Sequence, residues 1–317
     1  MPFTQPTNWH RGMSNKRCLY CARSFGDAVI AEKEHLIARN FVPAGAMNGG
    51  KSWNFIFSAC SECNRSKSQL EGHVAAVTQF MSRSVAEVSS YAERAHDKAR
   101  GEFHPWTKRP VADSFHESTV SVQGGSLGLS MKFVGPPQLD RDHAYELALK
   151  HIQGFFALVT NVDHRTDELS LLDPARLWVL GDYIRSDWGN SQLRAVHERT
   201  RHWKQHLHVV TASDFFRCVM RRESDDRWTW FWLLEWNRST RVAGMISSNG
   251  EMPAPLDDLP SHRWIQLPAH GGAVARLRWE QPLEDADDDF FVNRDAEAVK
   301  RPVDESYQPD ERSDRDG

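Results

Sequence analysis

The sequence predicts an α+β protein with a small metal-pinned unit near the N-terminus and a larger domain on an antiparallel sheet. Three observations carry this expectation. Two Cys-x-x-Cys pairs, Cys18/Cys21 and Cys60/Cys63, bracket a strand–loop–strand–helix pattern. Apolar residues at helical spacing (Leu70, Val74, Val77 and Phe80, then Ala144, Leu147, Ala148 and Ile152) mark helices apart from the strands. Closely spaced strand-like runs at Phe215–Arg221, Arg227–Trp236 and Thr240–Ile246, the last two joined by Asn237-Arg238-Ser239, read as an antiparallel meander.

In chain order, residues 1–14 read as an extended arm, and residues 1–25 hold Arg11, Lys16, Arg17 and Arg23 without an acid. Residues 15–100 form the first unit. Ala28-Val29-Ile30-Ala31 reads as a short strand running into Glu34-His35. Residues 40–51, rich in Gly, Asn and Pro, read as a loop, and Trp53–Ala59 as a second strand. A helix is expected from Asn64, continuing or restarting through Val85, Val88 and Ala92 to Arg100. Residues 101–110, with Pro105 and Pro110, read as a linker.

The second domain is expected over residues 111–282. Ser118–Val122 and Leu127–Phe133 flank Gln123-Gly124-Gly125-Ser126, a hairpin signature. A helix should begin at Asp140 and reach Val159; Leu177–Leu180 reads as a strand, Gly189–His206 as a helix and Arg276–Trp279 as a last strand. Residues 283–317 are acidic and poor in aliphatic side chains, so disorder is expected there.

Four thiolates complete a closed tetrahedral zinc site, and a two-residue gap lets one turn aim both sulfurs at the same ion. The alternatives are four unrelated buried thiols or two disulfides. A closed four-sulfur site leaves no open position, so this Zn²⁺ is expected to be structural. The fifth cysteine, Cys218, lies in a strand-like run and reads as a buried thiol.

On Cys18, Cys21, Glu34-His35, Asn54, Cys60, Cys63, Asn64 and Lys67, roughly residues 15–80 resemble the HNH endonuclease family, which has the ββα-metal nuclease fold. The resemblance implies that Glu34 ligates a catalytic divalent cation, Mg²⁺ or a similar ion. It makes His35 the general base that activates water, Asn54 the holder of the loop and the histidine, and Asn64 the second protein ligand. The chain has Glu34 where the family often has Asp, and Ala38 where a proline often follows the histidine.

Elementary chemistry agrees with those roles. A neutral imidazole can take a proton from water near pH 7, and a hard cation on oxygen ligands can bind the scissile phosphate. Adjacent residues of an extended strand point to opposite sides, so Glu34 and His35 can share a pocket only if the strand ends there. Arg39, Lys51, Arg65 and Lys67 are candidate phosphate contacts, or else solvated cations. His73, on the same helix, is an alternative ligand, although an exposed or capping histidine is the simpler reading.

Trp228, Trp230 and Trp232 share one strand face. Core packing is the simpler reading; a base-stacking platform, with Arg217, Arg221, Arg222, Arg238 and Arg241 interleaved, is the other. The net charge of −4 argues against a protein that only coats nucleic acid. No apolar run suggests a signal peptide or a membrane span, and reduced thiolates favour the cytoplasm. DNA is the expected partner, with RNA the other candidate. Residues 111–282 are expected to choose the substrate, bind a small ligand that licenses the nuclease, or form a homodimer. A non-catalytic zinc module binding nucleic acid or protein is the main rival reading.

Overall fold

The structure, a computed structural model, describes residues 3–4, 15–47, 54–80, 89–124, 127–160, 170–224, 226, 228–268 and 274–292. The chain enters through the main sheet. Of the expected arm, β1 (Phe3–Thr4) pairs in parallel with residues 207–208.

The cysteine-bracketed segment then folds as a hairpin and a helix. β2 (Ala31–His35) runs antiparallel to β3 (Ile56–Cys60), with His35 opposite Ile56 and Glu34 opposite Phe57. The first strand lies later than the apolar run Ala28–Ala31 suggested. Gly26 and Val29 exchange backbone hydrogen bonds of 3.1 Å across Asp27-Ala28, so a turn occupies that position. α1 (Ser61–Phe80) follows β3 directly, three residues earlier than expected, which puts both Cys63 and Asn64 in its first turn. α2 (Ser89–Gly101) packs beside it. The segment read as a linker is a closed loop: the Val111 amide donates to the Glu102 carbonyl and the His104 amide to the Arg109 carbonyl, both at 2.8 Å.

β4 (His116–Gly124) and β5 (Leu127–Gly135) form the expected hairpin as a separate two-stranded ribbon, whose turn at 125–126 lies outside the described residues. α3 (Arg141–Thr160) starts where Asp140 Oδ1 accepts the His143 amide at 2.8 Å, an N-cap. β6 (Leu177–Ile184) leads to α4 (Ser191–Thr200), capped by Asn190, whose Oδ1 accepts the Gln192 amide at 3.0 Å.

The helix expected over Gly189–His206 ends at Thr200, and β7 (Lys204–Thr211) takes over. Gln205, Leu207, Val209 and Thr211 are its buried positions, a two-residue period that a helix cannot satisfy. β8 (Phe216–Arg222), β9 (Trp230–Trp236) and β10 (Thr240–Ile246) complete a six-stranded sheet in the order β1-β7-β8-β9-β10-β6, antiparallel except for β1. A second ribbon pairs β11 (Trp264–Pro268) with β12 (Val274–Arg278); only the latter was expected.

The sheet is covered on both faces. Trp230, Trp232, Leu234 and Trp236 share one core with α3 and with the cysteine-bracketed hairpin, including Leu36, Phe41, Phe55 and Phe57. Phe231 and Leu233 face the other side, against Trp188, Leu193, Val196, Phe290 and Phe291. Trp230 and Trp232 are core residues and Trp228 is packed against them, so they offer no stacking platform. Cys218 is buried in the same core.

The expectation of disorder from residue 283 onward is corrected at its start. Leu283, Phe290 and Phe291 bury their side chains, and Arg221 Nη2 donates to the Phe290 carbonyl at 2.7 Å. Residues 293–317 lie outside the described residues. The two regions that the sequence separates therefore share one hydrophobic core. No helix among the described residues is long and apolar enough to cross a membrane.

Candidate metal centre and the neighbouring histidine

Cys18 and Cys21 sit in a tight turn, where the Ala22 amide donates to the Cys18 carbonyl at 3.0 Å and Ala22 takes a left-handed φ of 60°. Cys60 ends β3 and Cys63 lies in the first turn of α1. The four sulfurs lie within 4.8 Å of one another, and none is in a disulfide. A tetrahedral ion at about 2.3 Å from each thiolate places the sulfurs about 3.8 Å apart, and Cys21 Sγ is 3.8 Å from Cys60 Sγ. The cluster therefore fits a metal ion such as zinc.

Arg23 completes the surroundings of the sulfurs. Its Nε donates to Cys21 Sγ at 3.2 Å and its Nη2 to Cys60 Sγ at 3.4 Å. Desolvation opposes ionisation of Cys21, but the Arg23 guanidinium draws the thiol down to about 6. The Cys60 amide donates to Cys18 Sγ at 3.3 Å. Arg23 thus favours a thiolate at Cys21.

Between β2 and α1 the side chains pair in two steps. Asn64 Nδ2 donates to Glu32 Oε2 at 2.8 Å on the exposed side. One helical turn deeper, Lys67 Nζ lies 2.8 Å from Glu34 Oε1 and 2.7 Å from Glu71 Oε1, and donates to the His35 carbonyl at 3.1 Å. Tyr20 Oη donates to Glu34 Oε1 at 2.9 Å, and the Ala38 amide to Glu71 Oε1 at 3.2 Å. Lys67 is 1% exposed and Glu34 3%.

Three expected roles are corrected by this geometry. Glu34 is not open to a catalytic cation, because its carboxylate is enclosed by Lys67 and Tyr20. Burial pushes its carboxyl above the ordinary range despite Lys67, which further weakens it as a ligand. Lys67 cannot reach a phosphate from its buried position. Asn64 does not share a pocket with Glu34 either; its partner is Glu32, two residues earlier on the same strand face. The cation that the resemblance implies thus does not fit the Glu34–Asn64 pair.

Other expected roles have a place. The Ile37 amide donates to Asn54 Oδ1 at 3.1 Å, while Asn54 Nδ2 donates back to the Ile37 carbonyl. Asn54 therefore fastens the backbone two residues beyond His35, a loop-holding position. His35 ends β2, on the opposite strand side from Glu34, with its side chain partly exposed. Burial and the charges of Lys33, Arg39 and Lys67 push its pKa below the ordinary value. The imidazole is neutral at pH 7.

Arg39 and Arg65 are exposed, and Lys51 lies outside the described residues. His73 is buried, and its Nε2 accepts the Asp140 amide at 3.0 Å, so it anchors the start of α3. Gln153 Nε2 on α3 donates to the Tyr20 carbonyl at 3.2 Å inside the first cysteine turn. His151, on the same helix, puts Nε2 3.9 Å from Glu71 Oε1.

Glu32, Glu71, Tyr20, His151 and Arg23 escape the sequence reading. The spacing of Lys67 and Glu71, four residues apart on one helix, was the readable signal for a side-chain pair. Nothing in the sequence brings Tyr20, Arg23 or His151 to these partners.

Close packing joins the two regions. A Cβ on Gly154 of α3 would lie 2.2 Å from Leu36 Cδ1, beside His35. Gly154→Ala is expected to destabilise the fold by about 1–3 kcal/mol through overpacking. In urea unfolding, adding Leu36→Ala should offset part of that loss; strict additivity of the two changes would contradict the contact.

A separate open cleft of about 640 Å³ is lined by Arg199, Trp203, Glu223, Ser248, Glu251 and Asp257, among others. It draws no residue from the cysteine-bracketed unit. Comparison with protein-family models, with curated proteins and with solved structures finds no match to this chain.

Proposed function

We propose that the chain is a zinc-stapled nuclease of the HNH type that hydrolyses phosphodiester bonds in DNA, with His35 as the general base. The observation that carries this reading is the placement of His35. A strand end fastened by Asn54 presents a neutral, partly exposed imidazole close enough to Lys33 and Arg39 for their charges to act on it. A phosphodiester needs both functions there: a base to take the proton from an attacking water, and cations to offset charge gathering on the phosphorane-like transition state. Zn²⁺ in the four-cysteine cluster would fix the hairpin to the start of α1.

His35→Ala is expected to abolish cleavage of supercoiled plasmid, screened with Mg²⁺ and Mn²⁺, while one zinc per chain is retained. Full activity in that variant overturns the role. For the wild type, kcat/KM should rise with pH through a midpoint below 6.5 and then level off, because the folded-state pKa is lowered from that ordinary value.

A second reading has a specific observation behind it. Glu34, which an HNH nuclease would direct at its metal, is closed off in an ion pair. A zinc module that binds nucleic acid without cutting it would need no such ligand. Plasmid binding without metal-dependent cleavage under any tested cation would favour that reading.

A further inference from the structure

We infer that Lys67, together with Glu71, is a positioning device that holds the backbone of residues 35–38 and so aims the His35 ring. The inference deepens the nuclease reading and, for its catalytic consequence, rests on it. Lys67 projects from α1 into a space closed to solvent, where its ammonium meets the His35 carbonyl and the carboxylates of Glu34 and Glu71. An ammonium has three protons to donate, and these partners number three. Glu71 in turn accepts the Ala38 amide, and Asn54 grips both backbone groups of Ile37. On the exit side of His35 the Leu36 amide donates to the Phe55 carbonyl at 2.9 Å, and the other polar backbone groups, the His35 carbonyl, both groups of Ile37 and the Ala38 amide, are bound by the side chains of Lys67, Asn54 and Glu71.

The chemistry explains why a charged group suits this task. A short, charge-assisted hydrogen bond to a backbone carbonyl in a closed interior resists displacement by water. It also fixes the main chain at the point where β2 ends at His35 and the paired strand gives way to the loop. The interior side of this device is supplied by α3, through His151 beside Glu71 and Gln153 on the Tyr20 carbonyl.

The test uses the full-length chain loaded with zinc. Lys67→Met should retain its zinc and cooperative melting. The Ala38 amide should exchange with solvent at least tenfold faster, and the ring signals of His35 should broaden or split in proton NMR with a displaced titration midpoint. Plasmid cleavage should fall at least tenfold in kcat with KM little changed, and Lys67→Arg should recover part of it. Because a lone buried carboxylate pair can prevent folding, the neutral set Lys67→Met/Glu34→Gln/Glu71→Gln serves as the second variant, with the same expected NMR changes. Unchanged His35 signals and titration in a folded variant overturn the inference. So does rapid exchange of the Ala38 amide in the wild type, which needs no variant. A wild type that cuts no plasmid defeats the nuclease reading, while the NMR and exchange results still decide the positioning role.

Discussion

Removing the metal from the four-cysteine cluster is expected to unfold residues 15–80 and to lower the melting midpoint of the whole chain by roughly 10 °C or more. The four sulfurs converge within 4.8 Å. Without an ion, their negative charge has one described guanidinium to meet, that of Arg23. Burial pushes the Cys18 and Cys63 thiols upward, so an ion-free cluster would protonate them and lose its reason to close. Structural zinc sites of this type contribute on the order of 10 kcal/mol to the folding of small domains. Here the effect should spread, because Cys18, Leu19, Phe55 and Phe57 belong to the same core as Phe155, Trp230 and Trp232. Melting with and without a chelator, with zinc counted in both samples, checks the prediction. An unchanged midpoint in protein shown to be metal-free would refute it.

That shared core also explains what the sequence could and could not reveal. The four-cysteine cluster was legible because its information is local: a fixed two-residue gap, repeated, states a geometry by itself. Asn54 was legible through the resemblance, and the structure places its amide on the Ile37 backbone. Glu34 and Lys67 were legible as chemistry but not as location. An acid before a histidine looks the same whether its carboxylate faces water or a lysine, and only the packing of α1 onto β2 decides. His73 and His151 show the same limit, since each finds its partner on a different helix. β7 is a different case. Its two-residue alternation was present in the sequence but followed the strong amphipathic pattern of α4 without a glycine or proline between them. At the other end, the acidity of residues 283–292 concealed Leu283, Phe290 and Phe291, which cover the outer face of the sheet.

Stability is expected to fall steeply as pH drops from about 6.5 to about 4, with up to four protons taken up on unfolding near the middle of that range. The cause is a set of histidines buried as neutral rings. Burial pushes His151, His73, His197 and His206 each down to about 4 from an ordinary 6.5. In the unfolded chain they accept protons at the higher value; in the folded chain they refuse them until the lower one. Their contribution is therefore complete above 6.5 and lost as pH falls through 4, up to about 3 kcal/mol for each. Glu71 acts in the same direction at the acid end: burial opposes its ionisation, yet Lys67 draws it below the ordinary carboxylate range, so its protonation also favours unfolding. Glu34 works against the trend, since its carboxyl is raised and gains relative stability as pH falls. The histidines outweigh it because they are four to one. Urea unfolding at pH 7, 5.5 and 4.5 measures the slope. His151→Phe identifies one of its sources: the ring packs edge-on or tilted against Phe41, Phe216 and Trp236, contacts that a phenyl ring can keep. That variant should lose about one proton of uptake while remaining folded at pH 7. An undiminished pH slope in His151→Phe would mean that acid acts elsewhere, on the cysteine cluster or on the surface ion pairs.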